Sequence, residues 1–335
     1  MSTCKPYFRH RSFHDVQKGS ILPSVPDRLP LVYHPDYVCP LPEGHRFPMP
    51  KFGMVNDILR AEGIAGDDNT FQPDIADESL LSCVHTPAYV HAFLTGALSD
   101  AEQRRTGLPW SEALAKRTRT AVGGTLLTAR LALEHGIACN MAGGTHHAHP
   151  GFGSGFCIFN DLAVAARTLT REGAVSRVLV LDLDVHQGDG TAAAFQNDAS
   201  VFTFSMHCQS NFPFRKTAGD VDIGLPDGMG GEAYLSRLEH ELPGILDAAR
   251  PDLVLYDAGV DVFSGDRLGK LDLSLPDIGE RDEMVMSFFR EGGIPLAGVI
   301  GGGYDRDVYA LADRHCTLHR SACQVHGIEA LGASA

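Results

Sequence analysis

The chain has 335 residues, 44% of them hydrophobic, and a formal charge of −14 from 28 Lys and Arg against 42 Asp and Glu. That surplus of acid excludes a protein that grips nucleic acid through its phosphates, which needs clustered Lys and Arg, but leaves a cationic substrate open. No run of 18 apolar residues spans a membrane, no apolar stretch succeeds the first basic residues as a secretory signal would require, and the eight cysteines never form a C-x-x-C pair, so the reading is a cytoplasmic enzyme with reduced thiols.

In chain order, residues 1–28 read as an N-terminal arm and residues 328–335 as a tail, flanking one domain over 29–327. The domain opens on the apolar run 29–33, followed by a proline-rich loop to Pro50 and a helical pattern over 52–62. An amphipathic helix is expected over 111–135, with Leu114, Val122, Leu126 and Leu133 among its apolar positions. Beyond it, short apolar runs at 137–141, 178–181, 201–204, 253–256 and 296–300 have helical stretches at 161–172, 190–196, 232–249 and 277–291 between most of them. Continuous apolar strands alternating with helices predict an α/β domain whose mostly parallel sheet is covered on both faces. Ligands of such sheets gather beyond the carboxyl ends of the strands, so the residues just past each strand are the candidates for a site.

Four strand ends deliver His, Asp and Tyr to that edge. The run 137–141 leads into Gly143-Gly144-Thr145-His146-His147-Ala148-His149, and 178–181 into Asp182-Leu183-Asp184-Val185-His186-Gln187-Gly188-Asp189. The run 253–256 leads into Asp257-Ala258-Gly259-Val260-Asp261, and the last into Gly301-Gly302-Gly303-Tyr304. Asp184 and His186, two apart in extended chain, point the same way, and Asp261 can close a three-ligand metal set with an open position for water or substrate. His146 and His147 need acceptors on their second nitrogens, for which Asp182 and Asp189 are candidates, while His149 and His207 stay unassigned. The glycine triplet lets backbone approach a ligand closely and aims the Tyr304 hydroxyl at a developing oxyanion. Together these parts describe metal-assisted hydrolysis of an amide; G-x-S-x-G occurs only in part, at Gly153 to Gly155, and no G-x-x-x-x-G-K loop is present, which disfavours covalent and nucleotide chemistry.

These residues resemble the zinc-dependent histone deacetylase family, over nearly everything from Leu29 to His326. The matching pieces are G-G-T-H-H-A at 143–148, G-F-C at 155–157, D-L-D-V-H-Q-G-D-G at 182–190, A-G-V-D at 258–261 and G-G-G-Y at 301–304. H-R-F-P-M at 45–49, N-F-P-F-R-K at 211–216 and Gln187 in place of a second His are most similar to the class IV (histone deacetylase 11-like) branch and its bacterial relatives. The resemblance implies an arginase/deacetylase-like, eight-stranded sheet and zinc held by Asp184, His186 and Asp261. It implies His147, paired with Asp189, as general base and acid, His146, paired with Asp182, as its electrostatic partner, and Tyr304 as the carbonyl's hydrogen-bond donor. It further implies a structural potassium near Asp182, Asp184, His186, Ser205 and Met206, and a substrate tunnel of Gly155, Phe156, Phe212, Phe214 and Leu268; ordinary core packing is the alternative for Phe214. Lys51 falls where some relatives place an Arg in an internal cavity behind the metal. Class IV members of animals carry Asn where Asp189 stands, so an acid there is expected to raise the proton affinity of His147.

The expected substrate is an acyl-lysine protein or peptide. An amidohydrolase of acetylpolyamines or other small N-acyl amines is the main alternative, and Leu268, where an acidic gatekeeper would pair with a cationic stem, argues against it. A binuclear manganese hydrolase of the arginase type would want carboxylates near Gly188 and Gly259, and a catalytically inactive acyl-lysine binder would not need the full set of ligands, histidines and tyrosine. An Asp-His-Asp set leaves iron(II) open beside zinc.

Overall fold

The computed structural model describes residues 28–327, so the arm, apart from Arg28, and the tail at 328–335 lie outside the described residues. The strands are β1 (Leu31–Val32), β2 (Thr70–Phe71), β3 (Ile137–Asn140), β4 (Val178–Asp182), β5 (Val201–Cys208), β6 (Val221–Leu225), β7 (Leu253–Asp257) and β8 (Leu296–Val299). They form one sheet in the order β2-β1-β3-β8-β7-β4-β5-β6, and every ladder is parallel. The sequence reading of a mostly parallel sheet thus becomes a wholly parallel one.

Burial on both faces explains the apolar strand runs. In β4, Val178 and Val180 face one hydrophobic cluster and Leu179 and Leu181 the other. The first cluster is completed chiefly by α5 (Glu112–His135), α6 (Asp161–Arg171) and Phe195 of α7 (Asp189–Phe195). Across the sheet lie α1 (Lys51–Ala61), α8 (Gly231–Ala249), α9 (Leu275–Glu291) and α10 (Val308–His326). The starts of α5 and α6 are set by their caps: the Ser111 and Asn160 side chains accept hydrogen bonds from the Leu114 and Ala163 amides.

Three short helices, α2 (Glu78–Leu81), α3 (Pro87–Leu94) and α4 (Asp100–Thr106), were not predicted, nor were β2, β6 and α10. β2 is a two-residue edge strand, and β6 mixes Asp222 and Gly224 into its apolar positions. In α10 the buried positions include Arg314, His315, Thr317, His319 and Ser321, which masks a helical apolar stripe.

Within α5, Gly124 lets the helix pass against Tyr37, whose hydroxyl donates to Asn140 Oδ1 at 3.0 Å. A Cβ at Gly124 would lie 1.9 Å from the Tyr37 hydroxyl oxygen, in a place where all neighbours are buried. Gly124→Ala is therefore expected to destabilise the fold by about 1–3 kcal/mol despite the better helix propensity of Ala, as a lowered midpoint in thermal or urea unfolding.

Candidate active site

The four central strands β3, β8, β7 and β4 are neighbours in the sheet, and their carboxyl ends carry the four segments picked out from sequence. Asp184, His186 and Asp261 converge there, each offering a ligand atom within 4.8 Å of the others. His186 Nδ1 lies 3.0 Å from Asp184 Oδ1 and 3.1 Å from Asp261 Oδ2. Backbone amides fix the two carboxylates: Gly302 N–H donates to Asp184 Oδ2 at 2.7 Å, and Val185 N–H to Asp261 Oδ1 at 2.9 Å. Gly302 is required by that approach, because a Cβ there would stand 2.2 Å from Asp261 Oδ2.

The donor set fits a divalent cation. Asp184 and Asp261 are 1% and 0% exposed, and one imidazole shared between two buried carboxylates leaves a local excess of negative charge that solvent does not reach. Against the cost of burial, the two acids lift His186 to about 9, drawing positive charge to the point where they meet. Burial and the Asp184 charge raise Asp261, whereas His146 and His186 overcome burial to hold Asp184 below the usual carboxylate range.

Behind this set stand the paired histidines, ring centroids 4.1 Å apart. His146 Nδ1 lies 2.7 Å from Asp182 Oδ2, and His147 Nδ1 lies 2.6 Å from Asp189 Oδ1. Burial opposes a charge on His146, but Asp182 and Asp184 raise its proton affinity well above the ordinary value. His147 is pushed down to about 4, by burial and by the charge of His146, with Asp189 acting in the expected upward direction but outweighed. Asp189 also accepts from His149 Nε2 at 3.0 Å, giving a place to a histidine left unassigned from sequence.

His147, His186 and Tyr304 line the floor of a cavity of about 550 Å³ that also includes Gly155, Phe156, Phe212, Phe214 and Leu268. The Phe212 ring stands edge-on to His147 at 4.9 Å. Phe214 is 89% exposed and lines the same cavity, its ring centroid 6.4 Å from that of Phe212, so the core-packing alternative for it is overturned. Phe156 holds an uncommon left-handed backbone, φ 66°, with its amide bonded to the Thr106 carbonyl. Tyr304 is held by its own amide, which donates to Asp266 Oδ2 at 2.7 Å. Burial, with Asp261 and Asp184 nearby, keeps its phenol protonated well past the ordinary range.

On the inner side, Lys51 is 1% exposed, its Nζ 3.0 Å from His315 Nε2 and within reach of the Gly301 and Gly303 carbonyls. Burial lowers it to about 8, Asp261 and Asp266 opposing. Together with Asp184, Gly302 and Tyr304 it lines a second, smaller cavity. Ser205 faces Asp182 across the β4–β5 ladder with Met206 next along the strand, and Ser205 Oγ is engaged with His207 Nδ1 at 2.9 Å. Gln187 ties the loop before β6, bonding the Thr217 carbonyl and Asp222 Oδ1.

Several residues of the site carried no assignment from sequence. Asp161, at the start of α6, accepts from the Gly144 and Thr145 amides and so sets the loop carrying the paired histidines. Asp257 forms a second buried acidic group with His146 and Asp182, and neither of its oxygens has a hydrogen-bond partner. Arg281 of α9 crosses under the site to the carbonyls of Leu183, Ala258 and Gly259 and pairs with Asp282. The strand-end position of Asp257 was a signal that could have been used; nothing in sequence separates Arg281 from an ordinary surface charge on a helix.

A wholly parallel sheet thus carries at its carboxyl edge a buried Asp-His-Asp set that could hold a metal and two carboxylate-backed histidines beside it, and similarity to known proteins assigns this chain to the deacetylase-like hydrolases. Residues 45–319 match the histone deacetylase domain family, and the chain belongs to that family. It is 54% identical to an uncharacterized protein of Picosynechococcus over 297 residues, covering 89% of this chain and 99% of that one. It is 32% identical to histone deacetylase 2 of Arabidopsis thaliana over 269 residues, 78% of this chain and 70% of the relative. Its fold is similar to the crystal structure of a histone deacetylase homologue complexed with SAHA, with a TM-score of 0.75 and 26% identity over 90% of this chain and 85% of the other. No helix among the described residues is long and apolar enough to cross a membrane.

Arg281 and Asp282 are both fully buried, so removing one charge strands the other. Arg281→Met is expected to cost about 3–5 kcal/mol, measured as a lower urea midpoint.

Proposed function

We propose that this protein is a zinc-dependent lysine deacylase, hydrolysing the amide of an acyl-lysine side chain. The observation that carries this reading is that the Asp184-His186-Asp261 set, the His147–Asp189 pair and Tyr304 meet where one apolar-walled cavity ends. Zinc held by those three residues would supply Lewis acidity to the acyl carbonyl and the attacking water.

The chain's own residues account for the rest. With Nδ1 committed to Asp189 and a depressed proton affinity, His147 is neutral at pH 7 and presents a free nitrogen that takes the water proton. The same nitrogen then returns the proton to the departing lysine amine. His146, held protonated beside Asp182, supplies fixed positive charge and keeps His147 unprotonated until the reaction begins. Tyr304, whose phenol stays protonated, donates to the oxyanion as the carbonyl becomes tetrahedral. Gly155, Phe156, Phe212 and Leu268 offer apolar surface to the lysine methylenes. The likeness to class IV in residues 45–49, Gln187 and 211–216 belongs to the same proposal. So does a monovalent cation at Asp182, Asp184, His186, Ser205 and Met206.

The competing small-amine reading is separated by assaying acetyl-, octanoyl- and myristoyl-lysine peptides beside acetylputrescine with zinc-loaded enzyme. Turnover of a peptide and not of acetylputrescine is the expected result; the reverse result refutes lysine deacylation. Tyr304→Phe is expected to lower turnover by about 10²–10³ with metal content intact, because one oxyanion donor is lost. Asp261→Asn is expected to lower bound metal, read by elemental analysis; equal metal loss in both variants contradicts the assigned roles.

A further inference from the structure

The mouth of the cavity has a charge of its own. Arg46, Arg104, Arg105 and Lys270 line it, and among the described residues that line the cavity there is no carboxylate. These cations come from three separate places in the fold: the loop before α1, the last turn of α4, and the loop after β7. All four are exposed. They collect on one rim in a chain whose net charge is −14, against the overall balance.

Two of them are set by stacking. The Arg46 guanidinium lies 4.9 Å from the Phe156 ring centroid, and that of Arg105 lies 4.6 Å from the Phe152 ring. Stacking holds a guanidinium in place while leaving its in-plane N–H donors available to a carboxylate. Arg104 has no side-chain partner among the described residues. Lys270 Nζ donates to Ser210 Oγ at 2.9 Å, with Asp227 3.6 Å away.

Resting on the deacylase reading, we propose that this rim selects acyl-lysines set in an acidic stretch of polypeptide. With the amide at the cavity floor and the methylenes against Phe156, Phe212 and Leu268, the lysine backbone stays at the mouth. Its neighbours in sequence then lie beside the four cations. Asp or Glu there gains charge-assisted hydrogen bonds and a faster encounter, whereas Lys or Arg meets like charge within a Debye length of roughly 8–10 Å. The same repulsion acts on polyamines, whose free ammonium groups would sit at the mouth. The chemistry recognised is thus a peptide carboxylate beside the modified lysine.

The test uses the full chain loaded with zinc and three acyl-lysine peptides, flanked by Glu, by Ala or by Lys. Both kcat/KM and, separately, binding by fluorescence anisotropy are measured at low and high salt. The Glu-flanked peptide is expected to exceed the Lys-flanked one by about 10–100-fold at low ionic strength. That ratio should shrink towards one near 1 M salt, where the Debye length is about 3 Å. In Arg104→Glu/Arg105→Glu the low-salt ratio should fall at least severalfold. Equal binding of the three peptides, a preference for the Lys-flanked one, or an unchanged ratio in the double variant overturns the inference. Charge-ordered, salt-sensitive binding with no turnover of any peptide supports the rim's selectivity while refuting the proposed reaction, so the two failures are distinguishable.

Discussion

Two carboxylates, Asp184 and Asp261, are buried together at the carboxyl end of the sheet with a single imidazole between them. Taken out of water, such a pair repels itself and loses its solvation, so the surrounding chain has to compensate. It does so with backbone amides from Gly302 and Val185, with His146 on one side and with the buried Lys51 on the other. The adjoining carbonyls of Leu183, Ala258 and Gly259 are gathered by Arg281. The site is therefore a concentration of negative charge with a fixed cage, and that imbalance is the reason it fits a divalent cation.

The same physics separates two histidines that are chemically identical and adjacent in sequence. Both are buried, and both have a carboxylate at Nδ1. His146 faces Asp184 and Asp257 as well as Asp182, so it keeps a proton. For His147 burial and the charged ring of His146 outweigh Asp189, so its proton affinity falls. The two rings thus differ in proton affinity because carboxylates surround one, while burial and that ring's charge act on the other.

Much of this was legible along the chain because period and position carry it. A strand buried on both faces has to be apolar, as β4 and β7 are up to their closing aspartates, and this marks where the polar segments begin; the chain then bends over 184–186 rather than staying extended, as the spacing of Asp184 and His186 had implied. The starts of α5 and α6 lie close to the expected 111 and 161, where the Ser111 and Asn160 side chains close the first turns. α10 was not readable, since its inward face carries Arg314, His315 and His319, polar groups buried only because other elements surround them. Phe214 was expected in the tunnel wall, with core packing as the alternative, and its exposure, which depends on the surrounding chain, excludes the core.

By itself, then, the order of residues determined the alternation of strand and helix, the edge at which polar side chains emerge, and which residue types meet there, because these depend on neighbours within a few positions. Tertiary structure alone decided that Asp161, Asp257 and Arg281 belong to the site, that Asp189 serves two histidines, and that Arg46, Arg104, Arg105 and Lys270 ring one opening. Those facts depend on contacts between segments far apart in the chain, and the energy of a charge is set by whatever surrounds it in space.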